Sequence, residues 1–186
     1  QAGMFNDARL ALMIGDQPAQ ETPIPGHLYA VQIDVAGQDE ALLNLDGMGN
    51  PGRDFTRVTI NDVDLSSVPL LQAPTYRAVK RVGWQGVSHL EIFGQLCQTI
   101  DLWKPQYIII DATGVGEGLW ALLWKKYGER VIPFKFTAQS KSEVGYGYLS
   151  IINTGRFRDC CRTDEVLLQY KKCTSEILPG PQKLMR

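Results

Sequence analysis

At 186 residues the chain is long enough for one domain with a sizeable core and short for two. Its residues, 44% hydrophobic and 21% charged, have the balance of a soluble globular protein, and no apolar run approaches the roughly 18–20 residues of a membrane span. Nineteen Lys and Arg against twenty Asp and Glu give a formal net charge of −1, which argues against a uniformly basic nucleic-acid coat but leaves room for a local basic face.

The opening FNDARLALMIGD reads as a short helix, and the Pro-rich QPAQETPIPG after it keeps the chain extended. Residues 1–26 are therefore expected to be a helix and linker, and 27–186 the main domain. LYAVQIDVAG suits a buried strand ending near Asp34. QDEALLNLDGMGNPGRD turns loop-like at Gly47, Gly49, Pro51 and Gly52. FTRVTINDVDL alternates like a half-exposed strand, and TYRAVKRVGW does so again after a loop from Pro69 to Pro74.

From Ser88 the period changes. SHLEIFGQLCQTIDLW spaces Leu90, Phe93, Leu96, Cys97 and Ile100 as a helix does, Ser88 and Glu91 form a capping box, and Lys104-Pro105 ends the run. QYIIID is a short, very apolar strand of the kind found inside a sheet. EGLWALLWKKYG is a helix stopped by Gly128, VIPFKFT a strand, and SKSEVGYGYLSIINTG a helix closed by Gly155. The tail TDEVLLQYKKCTSEILPG reads as a last helix or a long strand. Trp120 and Trp124 stand four apart, as a packing stripe would, and His89 is expected at the surface of a helix start.

Three successive strands can form an antiparallel meander, after which a strand-helix-strand step needs a right-handed crossover to a parallel neighbour. If that neighbour is the first strand, Asp34 and Asp111 come side by side at the carboxyl end of the sheet, where open α/β folds bind ligands.

Tyr107 to Gly118 reads YIIIDATGVGEG, and its glycines first suggest a phosphate cradle. GVGEGL is not G-x-G-x-x-G, however, because Leu119 occupies the third glycine position, and no G-x-x-x-x-G-K-[ST] occurs. A dinucleotide site and a tight turn that lays a helix close on the sheet both remain open for these glycines, and the second suits them better. Cys97, Cys160, Cys161 and Cys173 have no C-x-x-C spacing, and with two histidines only, His27 and His89, a Cys/His zinc site is not expected. The thiols fit a reducing cytosol.

An aspartate closing an apolar strand is costly unless it is solvated, paired or bound to metal. Two on adjacent strands repel each other, and Mg²⁺ or Mn²⁺ relieves that repulsion. A pair of such ions, roughly 3.5–4 Å apart, can activate water and stabilise the leaving oxygen of a phosphodiester.

IDVAGQDE, IIIDATGVGEGL and KSEVGYGYLSIINTGRF together resemble the nuclease domain of phage terminase large subunits, members of the RNase H-like (retroviral integrase) superfamily. The resemblance runs from about Leu28 to the end. It implies an α/β fold with a mixed five-stranded sheet, a three-strand antiparallel meander plus parallel strands, with helices on both faces. It also implies a divalent-metal-dependent endonuclease that cuts concatemeric double-stranded DNA for genome packaging in the bacterial host cytoplasm. The partners implied are double-stranded DNA, an ATPase domain, a small terminase subunit and a portal protein, with no membrane. Two Mg²⁺ or Mn²⁺ ions are implied for the complete site. On this resemblance Asp34 and Asp111 are the catalytic metal ligands. Asp54 matches a further family acid ahead of the second strand, with Asp39 as the alternative, while Glu40 and Glu117 read as solvent-facing.

Lys135, Lys141, Arg156 and Arg158 flank the last strand and third helix as candidate phosphate contacts, with Lys141 and Arg156, inside the family-like segment, first among them. The superfamily's third carboxylate, usually in a His-Asp-Asp-like segment, has no match before Arg186; Asp159, Asp164 and Glu165 read instead as a solvated helix start. The chain is accordingly expected to be a fragment that stops short of its full site, and full two-metal activity is not expected of these 186 residues by themselves. A Holliday-junction resolvase-like nuclease and a non-catalytic domain binding DNA or a portal remain the alternatives.

Overall fold

The computed structural model describes residues 2–35 and 55–175. The expected loop through Gly47 to Gly52, and with it Asp39, Glu40 and Asp54, lies outside those residues. In chain order the elements are β1 (Ala2–Gly3), α1 (Asp7–Leu12), β2 (Leu28–Asp34), β3 (Phe55–Asp64), α2 (Val68–Leu71), β4 (Thr75–Gln85), α3 (His89–Trp103), β5 (Tyr107–Asp111), α4 (Gly116–Tyr127), β6 (Val131–Phe134), α5 (Ala138–Asn153), β7 (Phe157–Asp159), α6 (Asp164–Lys172) and β8 (Thr174–Ser175). The main sheet has the order β6-β5-β2-β3-β4-β7, and β1 and β8 form a separate antiparallel pair. The mixed α/β sheet is the expected one with six strands rather than five. The sixth, β7, is three residues long and pairs in parallel with β4, too short to leave a period in the sequence.

Contacts group the chain into two compact units, one of residues 21–61 and 80–135, the other of residues 1–20, 62–79 and 136–186. In the first, β5 is flanked in parallel by β2 and β6. Tyr29, Val31 and Ile33 of β2 alternate into the core with Ile108 and Ile110 of β5, all nearly inaccessible to solvent. From the helices, Ile92, Leu96 and Ile100 of α3 and Leu119 and Leu123 of α4 are buried with them. Leu119 and Leu123 are thus the packing stripe of α4. Trp124, one position further round, is 50% exposed, contrary to the expected tryptophan stripe.

The N-terminus of α3 forms as its residues dictate. Ser88 Oγ accepts from the Glu91 N–H, and the Glu91 carboxylate accepts from the Ser88 hydroxyl and N–H. Those bonds, the hydroxyl's first, hold the Glu91 carboxyl below its ordinary pKa. Ser88→Ala removes the cap, and thermal denaturation should show a loss of about 1 kcal/mol. His89 is half-buried rather than at the surface, with Nε2 buried and unpartnered among the described residues. The helix ends at Lys104 in the left-handed region (φ 45°), its N–H closing on Ile100 O.

In the second unit, Phe5, Leu10 and Met13 of the N-terminal stretch share a core with Ala78, Ile152 and Phe157. Phe5 packs against Tyr170 at 5.0 Å between ring centroids, and Tyr148 against Phe157 at 5.2 Å. The helix α1 is therefore built into the core of its unit. The tail resolves into α6, capped by Thr163, and then β8. Asp164 and Glu165 occupy the exposed first turn of α6, as expected. Asp159 does not: it is 3% exposed, and its Oδ1 accepts from the Cys161 N–H at 3.2 Å. It is a structural acid of β7 rather than part of a solvated helix start.

Candidate metal centre

Apolar alternation drives β2 and β5 together, and their register aligns the two strand ends. Val31 pairs with Ile108 and Ile33 with Ile110, so one step further on Asp34 stands beside Asp111 at the carboxyl ends of two parallel strands. Both aspartates lie out of phase with the buried Ile33 and Ile110, on the sheet's other face, since side chains alternate along each strand.

The electrostatics show the same neighbourhood. Protein crowding around the Asp34 carboxylate raises its pKa above the ordinary value, the negative charge of Asp111 raises it further, and the Arg57 guanidinium opposes both. A carboxylate whose ionisation is disfavoured by a second one beside it, the pair offering oxygen donors only, fits a hard divalent cation. Among the described residues no third His, Cys, Asp or Glu gathers with them.

The turn after β5 fixes Asp111. Its Oδ1 accepts the Thr113 N–H at 2.8 Å, and the Ala112 N–H donates to Phe134 O at 2.8 Å, tying the turn to β6. Gly114 has φ +58°, the left-handed turn open to glycine. Gly116 begins α4 so close to the strand end that a Cβ there would overlap the Asp111 carbonyl oxygen. The glycines of DATGVGEG therefore serve the aspartate: one turns the chain, the other lets the helix start directly against it.

Of the candidate phosphate contacts, Lys141 is exposed at the start of α5, with Nζ 5.9 Å from the Phe136 ring centroid. Arg156 is half-buried and employed locally, Nη1 donating to Pro74 O at 3.2 Å and Nε to Thr154 Oγ1 at 3.0 Å. Arg158 Nη1 similarly donates to Leu12 O and Ile14 O. Lys135 stands 3.6 Å from the solvent-facing carboxylate of Glu117, a surface pair of small energetic weight.

Sequence reasoning missed Arg57. Alternation in FTRVTI places it on the same strand face as Phe55, and its guanidinium lies 4.9 Å from that ring's centroid. The alternation was legible. Its proximity to Asp34 depends on β3 lying beside β2 across a long connection, which no local pattern encodes.

No family model matches the chain, and no curated protein matches it in sequence. Solved structures do match it in fold. The large terminase nuclease from thermophilic phage G20c superposes with a TM-score of 0.67 at 13% identity, covering 100% of this chain and 89% of that one. The same nuclease with bound magnesium gives 0.64 at 15% identity, covering 96% and 85%. The HK97 bacteriophage large terminase gives 0.56 at 9% identity, and there the match covers 86% of this chain but 34% of the other. The six-stranded mixed sheet that brings Asp34 beside Asp111 is thus the fold of the phage large terminase nucleases.

Proposed function

We propose that this chain is the nuclease domain of a phage or prophage large terminase subunit and acts on double-stranded DNA with Mg²⁺ or Mn²⁺. The observation that carries the reading is the juxtaposition of Asp34 and Asp111 at the ends of adjacent parallel strands, in a fold shared with those nucleases. Asp34 and Asp111 would hold the cation, and Asp54 is proposed as a further ligand. When bound, the ion supplies a Lewis acid for the phosphodiester and lowers the pKa of its water.

The chain's own residues prepare that site. The Thr113 N–H orients the Asp111 carboxylate, and a bound cation would offset the crowding and the Asp111 repulsion that disfavour the charged form of Asp34. Lys141 and Arg156 are proposed as phosphate contacts, and for Arg156 that role requires exchanging at least one of its present carbonyl and hydroxyl partners. The ATPase domain, small subunit and portal are the proposed partners, and the host cytoplasm the proposed location. No helix among the described residues is long and apolar enough to cross a membrane.

Mn²⁺ titration by calorimetry tests the reading, with nicking of supercoiled plasmid in parallel. The unaltered chain should bind Mn²⁺ and Asp111→Asn should not, although an asparagine oxygen can still accept the Thr113 N–H and keep the turn intact. Silence of the unaltered chain at millimolar Mn²⁺, with no nicking, would overturn the metal site and leave a DNA- or portal-binding domain. Preferential cutting of branched DNA would instead favour a resolvase.

A further inference from the structure

We propose that Arg57 is a DNA-phosphate ligand of this same centre, held on an aromatic support beside the paired aspartates. The inference rests on the nuclease reading above and adds to it a residue outside the acidic set.

The placement is built from three strands. Gly83 on β4 has no side chain, and a Cβ there would overlap the ring of Phe55 on β3. The missing side chain leaves that ring its space. The ring in turn carries the Arg57 guanidinium at 4.9 Å, a cation–π distance. β3 neighbours β2, and the Arg57 charge is felt at Asp34 on that strand. A flexible cation beside an acid would ordinarily stay in solvent. Here a half-buried arginine is restrained by its own strand, with a space reserved for its support.

Charge decides what such a residue is for. Among the described residues, ionised Asp34 and Asp111 with Arg57 sum to −1, and a divalent cation on the two aspartates turns that cluster to +1. The loaded centre then attracts an anion, and a guanidinium matches the oxygens of a phosphodiester through two parallel hydrogen bonds. Before loading, the same guanidinium partly neutralises Asp34 and so competes with the metal. Arg57 should therefore act oppositely on the two ligands, weakening metal binding and strengthening DNA binding.

The test compares the unaltered chain with Arg57→Gln and Arg57→Lys. Mn²⁺ affinity is read by calorimetry, and affinity for a short DNA duplex by fluorescence anisotropy across a salt series. For Arg57→Gln, Mn²⁺ should bind as tightly as before or tighter, while the duplex binds about tenfold more weakly and the salt slope falls by about one counterion. Arg57→Lys should keep the salt slope while losing part of the affinity. An unchanged slope in Arg57→Gln would overturn the inference, as would metal and DNA affinity falling together, which marks a purely structural residue. If the unaltered chain binds neither Mn²⁺ nor duplex, the nuclease reading itself fails and Arg57 falls with it. Metal binding that survives alongside an unchanged slope removes Arg57 alone.

Discussion

Gly116→Ala should destabilise the chain by about 3 kcal/mol and weaken Mn²⁺ binding at the same time. In an ordinary helix the same change is favourable by up to about 1 kcal/mol, because alanine loses less conformational freedom on folding. At Gly116 the new Cβ would meet the Asp111 backbone carbonyl, which cannot swing aside as a flexible side chain would. Either α4 lifts or the end of β5 bends, a strain of the size measured for overpacked cores. Both movements displace the atoms that orient the Asp111 carboxylate. Gly118, two residues along the same helix, is exposed with no neighbouring atom within 4 Å of an added Cβ. Gly118→Ala should therefore raise the melting temperature slightly and leave Mn²⁺ affinity unchanged. Calorimetry and thermal melts on the two variants check the contrast, and equal behaviour would refute the assigned role of Gly116.

Asp34→Asn should change metal binding and metal-free stability in opposite directions. Mn²⁺ affinity should fall by no less than the ~10–100-fold that loss of a mere supporting partner costs at a metal site. The metal-free protein, in contrast, should melt higher at neutral pH. Asp34 has a folded-state pKa above its ordinary 3.8, so below that value both folded and unfolded chains carry the proton and the residue costs nothing. As pH rises, the unfolded chain ionises first and the folded chain later, and stability is lost across that window. Asparagine does not titrate, so the variant's advantage should open over the same window and stay level above it. The gain is small, below about 1 kcal/mol, because Asp34 remains in contact with solvent. Melting curves from pH 3 to pH 7 in chelator would show the divergence, and parallel curves would refute the crowding of Asp34.

Much of this was legible because apolar period and punctuation agree in most elements. The capping box at Ser88, the glycine stops at Gly128 and Gly155 and the isoleucine run of β5 each specify a local structure that the fold keeps. The pairing of Asp34 with Asp111 was legible for a different reason: handedness leaves few places for a crossover strand to go. What escaped notice depends on tertiary context. Three residues suffice for β7 because β4 supplies its hydrogen bonds, and Asp159 is buried because Cys161 satisfies it. On α4, Leu119 and Leu123 take the inward face although larger rings stand nearby, since orientation against the sheet, not side-chain size, selects the face. Arg57 needed a neighbour relation between two strands that local sequence does not carry.

The parallel register of β2 with β5 has a kinetic corollary. Parallel neighbours cannot be joined by a tight hairpin, so the acidic pair lies at the far end of a long excursion of the backbone that, among the described residues, runs through two other strands and two helices. Closing such a loop costs entropy before any contact offsets it, and contacts of this separation slow folding. No short peptide excised from the chain can contain the centre, and during refolding the two carboxylates begin to repel only when the crossover docks. A signal that follows their proximity would time that event, separately from the formation of helix α3 or α4.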